Sequence, residues 1–193
     1  EVADYLLKIA ATRYLQKGDI LQKTEGFYEE FVARFPYPET DDQLVAIEDV
    51  LNDFTVGRPM DRLICGDVGF GKTEVALRAA FVAASSGKQV AVIVPTTLLA
   101  RQHYQSFVSR FRDTGLKVAQ LSRLVKPKEA RLVREQLKTG DVQIIVGTHA
   151  LLSKSIEFHD LGLLIVDEEQ HFGVSQKERL KNFKANVHVL TLT

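Results

Sequence analysis

Six continuous apolar runs, separated by stretches of helical length, constrain the fold of this chain more than any other feature. The runs are rich in Val and Ile and cover residues 62–65, 89–95, 117–122, 142–148, 161–167 and 187–193. Such runs are typical of strands buried on both faces. The stretches between them with helical length are 72–86, 97–113, 126–139 and 175–184. Because strands alternate with helices, we predict an α/β fold, a parallel sheet with helices on both faces.

The first 60 residues follow a different pattern. Apolar residues at helical spacing predict helices over 2–17 and 25–34, and Thr40 or Asp41 can cap a third helix that runs to about Phe54. The segment "FPYPET", with two prolines, interrupts this helical region. We therefore predict a short helical lead-in or linker at 1–34 and an α/β body at 35–193.

Composition narrows the possible classes of protein. The 193 residues include 25 basic and 25 acidic side chains, so a basic field over the whole domain is excluded and any DNA contact must be local. No apolar run approaches the ~20 residues of a membrane span, and we expect no membrane partner. The single Cys65 excludes an internal disulfide and fits the reducing cytoplasm. The five histidines lack the spacing of zinc ligands.

A phosphate-binding motif follows the first apolar run. The stretch "GDVGFGKT" matches G-x-x-x-x-G-K-[ST] in full, and its members are Gly66, Asp67, Val68, Gly69, Phe70, Gly71, Lys72 and Thr73. The glycines let main-chain N–H groups point at phosphate oxygens, and the helix that follows adds its positive end. We expect Lys72 to reach the β- and γ-phosphates of a nucleotide and the Thr73 hydroxyl to ligate Mg²⁺. The alternative is a glycine-rich strand–helix turn without a ligand.

Two acidic residues follow the apolar run "LLIV". Parallel strands end at the same edge of a sheet, so Asp167 and Glu168 are predicted at the edge that also carries the phosphate loop. Asp167 can then hold Mg²⁺, through water, opposite Thr73. Glu168 can orient and deprotonate the attacking water, which makes Lys72 and Glu168 the candidate catalytic residues. The alternative is a solvated acidic patch.

Further motifs carry a resemblance to a known family. Together with the phosphate loop and "DEEQ", the segments "PTTLLARQ" (95–102), "VGTHALL" (146–152) and "LTLT" (190–193) resemble the first RecA-like motor lobe of superfamily 2 helicases and translocases. Over residues 25–193 the chain is most similar to the bacterial transcription-repair coupling factors, which are ATP-driven DNA translocases that displace stalled RNA polymerase. RecG-type branch-migration helicases share several of these segments. One departure is Gln170-His171, where the family usually carries His-Arg.

The resemblance implies roles for residues outside the phosphate site. Phe35 would stack on adenine and Gln43 would read the edge of the base; the alternative is a Phe35 core anchor and a Gln43 on a helix surface. The residues implied in contacting one DNA strand are Thr97, Arg101, Thr148 and His149, with Arg123 as a further candidate. Arg101 and Arg123 are equally well read as ordinary surface charges.

The resemblance also implies what the intact protein does. It would use ATP and Mg²⁺, bind double-stranded DNA, and contact RNA polymerase and nucleotide-excision-repair proteins through parts outside these 193 residues. The family continues past "LTLT" into a second lobe that supplies an arginine finger, typically worth ~10³–10⁵ in rate. We therefore expect this lobe alone to bind ATP weakly, to be nearly inactive, and to expose the strand at 187–193 as a sheet edge.

Three other functions remain open from the sequence. The first is a RecG-type branch-migration lobe, and the second is a non-motor phosphoryl-transfer enzyme that shares only the phosphate loop. The third is a binding module that senses nucleotide without turnover.

Overall fold

Every predicted strand and helix is present in the computed structural model, which describes residues 2–66, 71–184 and 186–193. The helices, in chain order, are α1 Val2–Leu15, α2 Phe27–Ala33, α3 Asp41–Asp53, α4 Lys72–Ser85, α5 Thr97–Arg110, α6 Pro127–Thr139 and α7 Val174–Lys184. The strands are β1 Asp61–Ile64, β2 Gln89–Ile93, β3 Val118–Leu121, β4 Ile144–Gly147, β5 Leu161–Asp167 and β6 His188–Leu192. Two short 3-10 helices at His149–Leu152 and Glu169–His171 follow β4 and β5.

All six strands form one parallel sheet in the order β1-β6-β5-β2-β4-β3. The carboxyl ends of the strands therefore meet at one edge of the sheet, which confirms the predicted α/β class. The expectation that residues 187–193 form an exposed edge is wrong. Strand β6 pairs with β1 on one side and β5 on the other, with Val189 opposite both Asp61 and Leu164. The edges are β1 and β3.

The strand residues alternate between two cores, one on each face of the sheet. In β2, Val90 and Val92 belong to the core under α4 and α5, whereas Ala91 and Ile93 belong to the core under α6 and α7. This is the period-2 arrangement of a strand covered by helices on both faces. Helix α4 is buried on nearly all sides, from Glu74 through Ala84. It therefore fixes the phosphate loop that precedes it to the sheet.

Part of the predicted lead-in packs on the α/β body. The Phe31 ring of α2 stacks on the Phe81 ring of α4 with centroids 4.3 Å apart. Helix α1 is tied to the start of β1 by Arg13, which donates to Asp61 and to the Met60 carbonyl at 3.0 Å each. The division at residue 34 stays a prediction. Among the described residues, no helix is long and apolar enough to cross a membrane.

Candidate functional site

The phosphate-loop motif lies between the carboxyl end of β1 and the start of α4, as its pattern predicts. Asp67, Val68, Gly69 and Phe70, which are predicted to contact phosphate, lie outside the described residues. Gly71 adopts a left-handed conformation with φ of 72°. A Cβ at this position would lie 1.8 Å from Gln43 Nε2. Only glycine therefore allows the loop to turn into α4 beside this amide.

Lys72 joins three parts of the site. Its ammonium group donates to the carbonyl oxygen of Gly66 at 2.7 Å and to that of Thr193 at 2.9 Å. The Gly66 N–H also donates to the Thr193 carbonyl, at 3.0 Å. The Lys72 ammonium therefore lies where the phosphate loop meets the end of β6.

The acidic pair lies on the other side of β6. Asp167 ends β5, and the Glu168 N–H donates to the Leu192 carbonyl of β6 at 3.0 Å. Because β6 separates β1 from β5, its carboxyl end contacts both the phosphate loop and the acidic motif. Glu168 has φ of 56°, in the left-handed region that non-glycine residues rarely adopt. Strained backbone of this kind often occurs at functional sites.

Neighbouring side chains engage both carboxylates. His103 Nε2–H donates to Asp167 Oδ2 at 2.7 Å, and the two side chains are 11% and 13% exposed. The Gln170 amide donates to Glu168 Oε2 and accepts from the Thr193 hydroxyl at 3.3 Å. Gln170, at the position where the chain departs from the family pattern, thus connects the acidic motif with the end of β6.

Phe35 and Gln43 line the same cleft as part of the phosphate loop. The cleft has a volume of about 930 Å³, and its walls include Tyr37, Gly71 and Thr73. Phe35 is half-buried, with its ring in edge contact with that of Tyr37. Gln43 is buried, which excludes the alternative of a free helix-surface residue.

Gln43 is held in place by both ends of its side chain. Its Oε1 accepts from the Thr40 N–H at 2.9 Å, and its Nε2 donates to the Gly71 carbonyl at 3.3 Å. The Gln43 N–H completes a capping box by donating to the Thr40 hydroxyl. The amide that the resemblance assigns to the base thus also contacts the phosphate loop.

A network of buried charges, which sequence reasoning missed, supports the floor of this cleft. Glu74 Oε1 accepts from Arg78 at 2.9 Å and from Arg110 at 2.6 Å, and Arg78 also donates to Glu39 at 2.6 Å. The hydrogen bond from Arg78 is the main reason that the pKa of Glu39 lies below its ordinary value. Glu74 and Arg78 are spaced i,i+4 in α4, whose other residues between Val75 and Ala84 are apolar, and this spacing was the sequence signal for the network.

The candidate DNA-contacting residues lie at or near the carboxyl edge of the sheet. Thr97 begins α5, Thr148 and His149 follow β4, and Arg123 follows β3. Arg101, Arg123 and His149 are exposed, whereas Thr148 is buried. Thr148 can therefore position its loop more readily than it can bind a strand of DNA.

Nucleotide and Mg²⁺ fit the residues that are present. The cleft of about 930 Å³ reaches Gly71 and Thr73, and the Lys72 ammonium lies beside the Gly66 carbonyl at the start of the loop. Asp167 and Glu168 supply the oxygen ligands that Mg²⁺ prefers. Within the described ranges, no group of three or more His, Cys, Asp or Glu forms a ready-made metal cage.

Comparison with known proteins identifies the family. Residues 40–193 match the family model of the DEAD/DEAH box helicases. This chain belongs to the DEAD/DEAH box helicase family. Its solved likenesses include RecG bound to a three-way DNA junction, with a TM-score of 0.83 and 36% identity over 96% of this chain and 25% of that one. The likeness to Mss116p (TM-score 0.70, 18% identity, 88% of this chain and 38% of that one) shows the fold alone.

The resemblance to transcription-repair coupling factors is confirmed by curated relatives of that name. The chain is 53% identical over its whole length to the protein of Bacillus subtilis (strain 168), covering 16% of that protein. It is 51% identical to that of Rickettsia conorii, covering 18%, and 50% identical to that of Haemophilus influenzae, covering 17%. The chain thus corresponds to a RecA-like helicase lobe that spans under one fifth of these relatives.

Proposed function

We propose that this chain is the ATP-binding motor lobe of a double-stranded DNA translocase. In the intact protein, ATP hydrolysis would drive the displacement of stalled RNA polymerase during transcription-coupled DNA repair. The observation that carries the proposal is the position of β6. Its carboxyl end contacts the phosphate-loop residues Gly66 and Lys72 on one side and the catalytic candidate Glu168 on the other. Identity of about 50% to transcription-repair coupling factors supports the choice of motor.

The residues of the site support hydrolysis of a nucleoside triphosphate. Lys72 would exchange its two carbonyl acceptors for β- and γ-phosphate oxygens, which are stronger partners because they carry charge. Phe35 and Gln43 would hold the base in the cleft that leads to Thr73. Glu168 would accept the proton of the attacking water. Mg²⁺, held by Thr73 and by Asp167 through water, would neutralise the charge that develops on the phosphates.

DNA would be contacted at the carboxyl edge by Thr97, Arg101, Arg123 and His149. These contacts are local, in keeping with a net charge of zero over 193 residues. RNA polymerase and nucleotide-excision-repair proteins would be bound by parts of the intact protein outside this chain.

A branch-migration helicase lobe is the second candidate. The likeness to RecG, at a TM-score of 0.83 and 36% identity, favours it. The identity to transcription-repair coupling factors is higher, at 50–53%, and it covers the whole chain. We therefore rank the polymerase-displacing translocase first.

The test uses the full-length protein that carries this lobe and RNA polymerase stalled on duplex DNA. We expect release of the polymerase with ATP, and none with a non-hydrolysable analogue or with the Glu168→Gln variant. A parallel assay measures ATP turnover on linear duplex and on a three-way junction. No release, combined with turnover that requires the junction, would favour the branch-migration alternative instead.

A further inference from the structure

We propose that His103 is a positioning residue for the Mg²⁺-binding carboxylate, and that it couples the DNA-facing helix α5 to the nucleotide site. The inference rests on the proposed function. None of the motifs that define the phosphate site includes His103. Its Nε2 lies 2.7 Å from Asp167 Oδ2, 64 positions away in sequence.

The placement of α5 makes this contact possible. Strand β2, which leads into α5, lies next to β5 in the sheet, so the helix starts close to the end of β5. The Thr96 hydroxyl caps the helix by accepting from the Leu99 N–H at 3.2 Å. At 100° per residue, His103 then points to the side opposite Arg101, which is exposed. One helix therefore presents a candidate DNA contact outward and an imidazole to the acidic strand.

A second contact fixes the carboxyl-terminal end of α5. Seven residues after His103, on the same face of the helix, Arg110 donates to Glu74 Oε1 at 2.6 Å. Glu74 directly follows Thr73 of the phosphate loop. Helix α5 thus holds the phosphate-loop helix through Arg110 and the acidic strand through His103. A shift of α5 on binding DNA would act on both at once.

The hydrogen bond specifies what His103 can do. It engages the Oδ2 atom of Asp167, and we assign the second oxygen of that carboxylate to a metal-bound water. Since both side chains are nearly nine-tenths buried, solvent screens the contact little. Partners of this kind, one step removed from a metal, typically change metal affinity about 10–100-fold when they are removed.

The test measures binding of a fluorescent ADP analogue to this chain in Mg²⁺ and in EDTA. The dissociation constant in EDTA divided by the dissociation constant in Mg²⁺ gives the coupling between metal and nucleotide. We expect His103→Leu to lower that ratio about tenfold or more while the affinity in EDTA stays at the wild-type value. His103→Gln should restore the ratio, since the amide nitrogen of Gln replaces Nε2. His103→Asn should not, because its amide is too short to reach Asp167.

A double variant distinguishes positioning from a general defect. Asp167→Asn should lower the same ratio, and adding His103→Leu to it should cause no further loss, because His103 acts on the metal only through the Asp167 carboxylate. An unchanged ratio in His103→Leu, or equal loss in the Leu and Gln variants, would overturn the inference and leave the proposed function standing. If the wild-type chain bound no nucleotide in either condition, the proposed function would fall and the inference with it.

Discussion

Lys72 Nζ donates a hydrogen bond of 2.9 Å to the carbonyl oxygen of Thr193, 121 positions further along the chain. This contact and the one to the Gly66 carbonyl hold the ammonium group at the carboxyl end of β6, beside the phosphate loop. A binding site whose cation is already placed loses less conformational entropy when it takes up its ligand.

Replacing Lys72 by Ala should remove nucleotide binding. A hydrogen bond to a charged group contributes about 1.5–3 kcal/mol, and we expect loss of two such bonds to phosphate to weaken ATP binding about 100-fold or more. Isothermal titration calorimetry with ATP measures the affinity of the variant and of the wild type. Lys88→Ala is the matched control, since Lys88 pairs with Asp19 and Asp160 before the start of β2. Equal affinity of Lys72→Ala and wild type would contradict the assignment of the phosphate loop.

Replacing Glu168 by Gln should block hydrolysis and spare binding. The amide cannot accept the proton of the attacking water, and loss of a general base typically costs about 10²–10⁴ in rate. Single-turnover hydrolysis and nucleotide titration of the intact protein separate the two effects. Glu169→Gln, at the next position, is the control and should retain turnover. Loss of nucleotide binding in Glu168→Gln would instead indicate a structural role for this strained residue.

Replacing Glu74 by Ala should destabilise the fold strongly. Both Glu74 and Arg78 have side chains that are 3% exposed, so the change leaves Arg78 and Arg110 buried without this carboxylate. Breaking a buried ion pair costs about 3–5 kcal/mol. Urea unfolding should register a loss of this size. Glu30→Ala, which removes an exposed i,i+4 partner of Arg34, is the control and should cost at most about 0.5 kcal/mol.

The stability of the fold should fall at mildly acidic pH because of His188. Burial lowers the pKa of its imidazole below the ordinary value of 6.5. The neutral ring accepts from the Met60 N–H at 2.9 Å and donates to the Asp19 carbonyl at 2.6 Å, so protonation would break the first of these bonds. The contribution of His188 is complete above pH 6.5 and is lost as the pH falls from there towards the lowered pKa, because the unfolded chain binds the proton first.

The check compares the free energy of unfolding of wild type and His188→Gln between pH 7.5 and pH 5. These bounds bracket the ordinary histidine pKa of about 6.5. The difference in stability between the two proteins should shrink as the pH falls. Parallel curves would show that His188 does not titrate in this way.

The strands and the phosphate motif could be predicted because they depend on residues that are close together in the sequence. Runs such as "VAVIV" are apolar at every position, since the strands are buried on both faces. The strand order is not local, because it depends on where each crossover returns to the sheet. The expectation of an exposed β6 was wrong for this reason. In the structure, the buried His188 at the start of β6 accepts a hydrogen bond from the Met60 N–H, just before β1.

The contacts of His103 and Glu74 could not be predicted by the same means. A single histidine in the polar stretch "RQHYQS" is indistinguishable from a solvent-facing residue until the end of β5 is known to lie beside α5. The carboxylate of Glu74 satisfies two arginines from different helices, and only the packing of α4 against α5 brings them together.

In the proposed function, these residues form one part of a DNA-stimulated ATPase site. The most direct test of this proposal is steady-state ATP hydrolysis, with and without duplex DNA, by this chain and by a chain extended through the second lobe that the resemblance implies. We expect the extended chain to turn over faster with DNA, by ~10³ or more over the chain alone if an arginine finger is supplied. Equal turnover by the two chains, or no stimulation of either by DNA, would contradict it.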